Sequence, residues 1–444
     1  MQGDRKKIQR AWSMYDWGAS TYNLVITSTI FPAYYVAITT TEKAGELSYV
    51  DFFGFKVINT ALQNFALAAV FLMVSIMSPI LSSIADYRGN KKAFMRAFTW
   101  MGALSCMGLF FFTPERVELG IIVFALAALG FWNSWVFYNS YLPDIAIPEE
   151  RDQVSARGFA MGYIGSVLLQ LICFVVILKP DLFGIGHDKT LGPRISFLLV
   201  GLWWLGFAQI TFRALPQNTA SNKQLKKHII VNGFHELQLV WQQAKLIPAL
   251  KRFLYAFFFL SVGVQTIMLV AAGYSKKEIF PKDEDEPKLI LTIILIQLVA
   301  IIGATLLSRL SQKIGNLPAM LCTIIIWVGI CSWGYFITSQ TEFYILAACV
   351  GLVMGGIQSL SRSTYSKLIP PTTDTTSFFS FYDVTEKLAL TLGLFLFAYN
   401  EELTGSMRNS ILVLMVFFII SFLLVLHTRK AVKKEDYESL FSRN

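Results

Sequence analysis

Four charged side chains sit inside stretches that are otherwise apolar enough to cross a membrane: Arg362 in one, and Asp383, Glu386 and Lys387 in the next. A charge at the centre of a bilayer-spanning helix costs about 2.5–3.5 kcal/mol on insertion scales. Such residues therefore face the bundle interior and mark solute or ion pathways. Asp383 and Lys387 stand four residues apart, on one helical face and able to pair. With the two helices running in opposite directions, Arg362 and Asp383 share a depth of about 8–10 Å from one membrane edge, and Lys387 lies nearer the middle. Arg362 is then within reach of Asp383, with Tyr382 alongside. Two cations facing two carboxylates let a proton arriving on Asp383 or Glu386 free one cation to change partner or to bind an anionic group. The same four residues also fit a purely structural salt-bridge network, because mutual compensation makes bilayer residence tolerable without transport. Asn23, Asn133, Asn139, Gln170, Gln209, Gln265, Gln297 and Gln358 add uncharged polar groups to many of the apolar stretches. Each alone reads as an interhelical hydrogen bond, and together they fit the lining of one wet cavity. Asp16 and Trp17 form a further pair worth testing as a solute contact.

A second constellation is Ser82-Ser83-Ile84-Ala85-Asp86-Tyr87-Arg88-Gly89-Asn90-Lys91-Lys92. Its order of acid, base, glycine and basic pair sits where a helix leaves the membrane. Gly89 permits a tight turn, and Asp86 can accept hydrogen bonds from a neighbouring helix end or arginine. Asp86, Arg88, Gly89, Lys91 and Lys92, with Arg157 further on, are the candidate gating residues. A weaker copy, Gly315-Asn316-Leu317-Pro318, recurs about 225 residues later, with Gln312 where the aspartate would stand.

The elements that must carry these residues follow from composition. Apolar residues make up 55% of the chain and charged ones 15%, with mean hydropathy +0.53, against about a quarter charged in soluble domains. About twenty apolar residues are needed per span. That criterion places helices at Ser20–Ile38, Ala61–Ile84, Phe94–Thr113, Leu119–Leu142, Gly158–Leu178 and Ile195–Phe212. After a polar stretch come Ala249–Ala272, Leu289–Leu310, Pro318–Thr338, Phe343–Leu368, Phe378–Tyr399 and Asn409–His427. The fold class is thus an all-α polytopic membrane protein of about twelve helices in two six-helix pseudo-repeats. Residues 1–213 form the first bundle, 214–248 a cytoplasmic linker, 249–428 the second bundle and 429–444 a cytoplasmic tail. Within the linker, Phe234, Leu237, Val240, Trp241 and Ala244 recur at helical spacing, which fits either a helix on the membrane surface or a plain connecting helix. With the N-terminus inside, 26 of the 38 lysines and arginines fall on inner segments and 11 on outer ones, leaving Lys387. The positive-inside rule then puts both termini in the cytoplasm of a cell whose inner membrane holds the chain. This distribution accounts for the net charge of +9 without nucleic acid.

Gly158/Gly162 and Gly351/Gly355 have the spacing of close backbone packing. Trp12, Trp17, Trp132, Trp135, Trp203 and Trp204 read as interfacial or cavity-lining aromatics. The basic N-terminus precedes a stretch holding Asp16, Gly18 and Asn23 with no small-x-small cleavage site, so it reads as a retained helix and not as a signal peptide. All five cysteines lie in apolar runs, and His235-Glu236 lacks the second histidine of a zinc motif, so neither metal nor cofactor is expected.

The acid-base-glycine loop resembles the loop signature of the major facilitator superfamily, with Ser82 in place of the usual glycine. Four more stretches narrow the likeness: Tyr15-Asp16-Trp17-Gly18-Ala19-Ser20, Tyr138 to Asp144, Arg157 to Gly165, and Gly356-Ile357-Gln358-Ser359-Leu360-Ser361-Arg362-Ser363. They are similar to the branch related to fungal vacuolar amino-acid effluxers and their bacterial homologues, over nearly the whole chain. The resemblance implies a secondary transporter working by alternating access, with the site between two rocking halves. It also implies proton-coupled efflux of a small polar solute, amino acids among them, with protons, the bilayer and the solute as partners and the chain a monomer. A lipid or amphiphile mover and a transporter-like receptor are the rival readings. An enzyme is not expected: no HExxH, GxSxG, P-loop or paired intramembrane aspartates are present.

Overall fold

The computed structural model describes residues 2–40, 48–184, 188–217, 229–280 and 286–441. Positions 218–228 of the expected linker and the end of the tail lie outside these. The described chain is helical almost throughout, as a bilayer demands, because only helices and closed barrels satisfy every backbone group in hydrocarbon. Ten of the described helices are long and apolar enough to cross a membrane. The other two stretches expected to span are helical as well, and each departs from a plain apolar helix at a candidate site. The first begins far earlier than expected, as α1 (Gln2–Thr21). It passes through a π-helical stretch, Tyr22–Thr29, and continues as α2 (Ile30–Thr39). The eleventh, α14 (Thr375–Thr404), carries Asp383, Glu386 and Lys387.

Between α2 and α3 (Asn59–Arg88) lies a small hairpin, β1 (Tyr49–Phe52) and β2 (Phe55–Ile58), which hydropathy alone leaves as an undivided loop. The remaining helices are α4 (Lys91–Gly108), α5 (Val117–Ser140), α6 (Leu142–Ile145), α7 (Arg151–Leu178) and α8 (Leu191–Ala214). They continue as α9 (Ile229–Leu246), α10 (Pro248–Glu278), α11 (Glu286–Ile314), α12 (Asn316–Phe336), α13 (Gln340–Leu368) and α15 (Met407–Phe441).

Two compact units result, Met1–Asn139 with Met161–Gly233, and Ser140–Ala160 with Phe234–Asn444. In the first, α1 and α4 pack on α8. Trp204 and Trp12 are fully buried there, so these two are core residues and not the interfacial or cavity-lining aromatics that the sequence suggested. Their indoles fill space between helices, where ring stacking (Trp12 on Tyr138 at 4.3 Å) adds to burial. In the second unit α11 lies tightly on α13, and a Cβ on Gly351 would stand 2.5 Å from the Ile296 carbonyl oxygen. Gly162 likewise meets Ser20 of α1 closely. Both loop glycines take positive φ, Gly89 at 65° and Gly315 at 90°, so the turn that each copy of the motif needs is present.

Candidate functional site

In the second unit the polar face of α14 holds the intramembrane charges. Asp383 and Lys387 pair along one helical turn, Nζ to Oδ1 at 3.2 Å, with both side chains buried. Asp383 Oδ2 is buried and has no hydrogen-bond partner among the described residues. One turn on, Glu386 accepts a hydrogen bond from Gln265 of α10. Tyr382 is sandwiched between Phe257 of α10 (centroids 4.0 Å apart) and Tyr365 of α13 (4.9 Å). This stack clamps the rotation of α14 and so sets where the three charges point.

Arg362 takes a different place from the one its depth suggested. Its Nε donates to Ser155 Oγ (2.9 Å), its Nη2 to the Ser155 carbonyl (2.8 Å), and its guanidinium lies 4.3 Å from the Phe159 ring centre. The cation of Asp383 comes instead from its own helix. Helical spacing made the Asp383–Lys387 pair readable, whereas depth matching could not say which neighbour faces Arg362.

Ser155 belongs to a second polar cluster that the sequence reading missed. Asp152, 3% exposed, accepts from Lys367 Nζ (2.6 Å), Asn316 Nδ2 (2.7 Å) and Ser311 Oγ (3.2 Å). Asn316 Oδ1 accepts from the same lysine at 3.0 Å. Ser155 Oγ also donates to the Ser359 carbonyl, and Arg151 donates to that of Ser366. The first turns of α7 are thereby bound to one side of α13. The second loop copy lacks its own aspartate at Gln312, yet its Asn316 stands against a carboxylate supplied by α7. A polar residue of a copied loop was the available signal.

In the first unit Asp16 is fully buried and accepts a 2.5 Å hydrogen bond from the Tyr138 hydroxyl. Trp12 Nε1 donates to the Tyr138 carbonyl (3.0 Å), and the Tyr15 hydroxyl meets Thr99 Oγ1 (2.8 Å). Trp17 stacks on Trp203 with centroids 6.1 Å apart, and its ring nitrogen has no partner among the described residues. Asn139 is buried, and Asn23 lies apart, in the π-helical stretch, where Thr29 bonds Gln170 (2.8 Å). Gln358, in the second unit, contacts Met268. Of the gating candidates, Asp86 and Lys91 are buried, Lys92 donates to the Leu215 carbonyl (2.7 Å), Arg88 is exposed, and Arg157 is half-buried in the first turns of α7. Among the described residues, no group of three or more histidines, cysteines or acids could hold a metal ion.

Solved structures of membrane transporters, one of them titled a major facilitator superfamily transporter, share this polytopic helical fold. The human organic anion transporter MFSD10 superposes with TM-score 0.69 at 13% identity, over 95% of this chain and 99% of that one. The fucose transporter FucP in its outward conformation gives 0.68 at 12%, over 94% and 97%. Residues 4–437 match the family described as "Vacuole effluxer Atg22 like", and the chain belongs to that family. An MFS-type transporter of Bacillus subtilis, YxiO, is 30% identical over 94% of both chains. Autophagy-related protein 22-2 of Penicillium rubens is 25% identical over 85% of this chain and 76% of its own.

Proposed function

We propose that the protein exports small polar solutes, amino acids among them, from the cytoplasm by proton-coupled alternating access, with Asp383, Glu386 and Lys387 as the coupling group. The observation that carries this reading is the half-satisfied carboxylate of Asp383. One oxygen is neutralised by Lys387 and the other is buried with no described partner, an acceptor that a proton would satisfy. Protonation there releases Lys387 to bind an anionic solute group or to turn toward another acceptor. The name of the family supports efflux as the direction. Tyr382, Gln358 and Arg362, with Asp16, Trp17, Asn23 and Asn139 in the first unit, are the remaining candidate solute or coupling residues. Asp86, Arg88, Gly89, Lys91, Lys92 and Arg157 are the candidate gate.

The test is transport in proteoliposomes under an imposed pH gradient, with an amino-acid mixture as substrate and wild type beside Asp383→Asn, Glu386→Gln and Lys387→Ala. Coupling requires that at least one carboxylate variant lose gradient-driven accumulation while keeping downhill exchange of the same solute. Variants that lose only thermal stability, with normal transport by the surviving fraction, would make the cluster structural.

A further inference from the structure

The hairpin between α2 and α3 has one apolar face and leads directly into a spanning helix. Its register pairs Val50 with Val57 and Phe52 with Phe55 on one face, and Tyr49 with Ile58 and Asp51 with Lys56 on the other. Directly opposed residues share a face, so the first face is wholly apolar and the second is partly charged. At the tip Phe53 (φ 50°) and Gly54 (φ 84°) both adopt left-handed conformations, as a two-residue primed turn demands. The Asp51 carboxylate closes the turn by accepting from the Gly54 N–H at 2.9 Å. Asparagine or glycine suits the first turn position, whereas phenylalanine there costs about 1–2 kcal/mol of backbone strain. Folding gains nothing from that choice, since Phe53 is 66% and Phe55 73% exposed.

The base of the hairpin is held firmly. The Asn59 N–H donates to the Ser48 carbonyl (3.0 Å), the Tyr35 hydroxyl donates to the Asn59 carbonyl (2.9 Å), and Asn59 Nδ2 donates to Thr39 Oγ1 (3.1 Å). Ile58 runs straight into α3, a spanning helix whose exposed flank carries Phe65, Leu72 and Met73. Val50 of the apolar hairpin face is buried at its base, and the face leads in the chain into exposed apolar residues of a spanning helix, at the level where that span begins. Aromatic side chains are favoured at that level. A tip reaching about 13 Å from its base can extend across the headgroup layer.

We propose that this hairpin is an interfacial anchor, with Phe53 and Phe55 seated in the headgroup region of the bilayer and Asp51 and Lys56 turned to water. The experiment places a nitroxide at Phe53→Cys, Phe55→Cys and Lys56→Cys, in full-length protein with the five native cysteines replaced, in nanodiscs of phosphatidylcholine and phosphatidylglycerol. Relaxation by oxygen should exceed relaxation by a nickel chelate at positions 53 and 55, and the order should reverse at 56. A bimane at Phe55→Cys should also be quenched by brominated lipid at least twice as strongly as one at Lys56→Cys. Equal nickel access at all three sites would mean a hairpin standing in water and would overturn the proposal. So would labels at 53 and 55 shielded from both relaxants, which would mean that protein covers the tip. Unlabelled wild type, read by gel filtration beside each variant, separates misfolding from either outcome.

Discussion

Asp16 and Asp383 are both buried carboxylates in membrane helices, but their neighbours ask different things of them. Asp16 accepts a short bond from a phenol that is itself stacked on Trp12 and Tyr15, so its position is tied to the packing of α1 against α5. A hydrogen bond to a charged group contributes about 1.5–3 kcal/mol, against about 0.5–1.5 for a neutral one. Tyr138→Phe should accordingly lower the thermal unfolding midpoint beyond Tyr15→Phe, whose hydroxyl meets neutral groups, Thr99 Oγ1 at 2.8 Å among them. Equal shifts in a dye-based melting assay would show that Asp16 is not held by Tyr138 in its charged form. This bond could not be read from the chain: Tyr138 lies 122 residues from Asp16, and aromatic residues near span ends look alike whether they face lipid, solvent or core. The Asp383–Lys387 pair was readable because it repeats within one helical turn, a rule that needs no knowledge of neighbours.

At the scale of elements, the first turns of α7 carry a second readable consequence. Asp152, Ser155 and Arg151 all bond to α13 or to the first residue of α12. Removing one partner from a fully buried pair leaves an uncompensated charge and costs about 3–5 kcal/mol; Asp152 is buried but Lys367 is a quarter exposed, so loss of the carboxylate costs less than that. Asp152→Ala should loosen α7 from α13 and expose Ser363, which is fully buried beside Asn316. Maleimide labelling of Ser363→Cys should accelerate about tenfold or more in that background, the effect of a shift of roughly 1.4 kcal/mol in the opening equilibrium. Lys367→Met added to Asp152→Ala should restore part of the protection. Unchanged labelling rates would mean that this cluster does not hold the two helices. Hydropathy found the spans because each needs about twenty apolar residues whatever surrounds it. It missed the hairpin, since strands of four residues broken by Asp51 and Lys56 give a window of about twenty residues nothing but a polar loop, and it missed the π-helical stretch of span one, which leaves no mark on hydropathy. It passed over Asp152 altogether, because burial of that carboxylate comes from residues more than 150 positions away.

For the whole molecule, sidedness governs what any transport measurement means. The excess of lysine and arginine on alternate loops predicts that α9 and both termini lie in the cytoplasm and that the turn between α7 and α8 lies outside. Two exposed leucines report on this directly: Leu246 at the end of α9 and Leu182 after α7. In intact cells a membrane-impermeant maleimide should label Leu182→Cys at once and Leu246→Cys only after permeabilisation, with the native cysteines replaced in both. The reverse pattern would overturn the orientation and with it the assignment of the Asp383 end of α14 to the cytoplasmic half of the membrane. The same pair of labels fixes the fraction of molecules facing each way after reconstitution. Because a secondary transporter runs in either direction according to its gradients, accumulation driven by a pH step counts as export only when that fraction is known. Export predicts that vesicles in which the Leu246 side faces outward accumulate solute when their lumen is acidic. Proton and solute then exchange in opposite senses, and Asp383→Asn should remove the dependence on the pH step in that population.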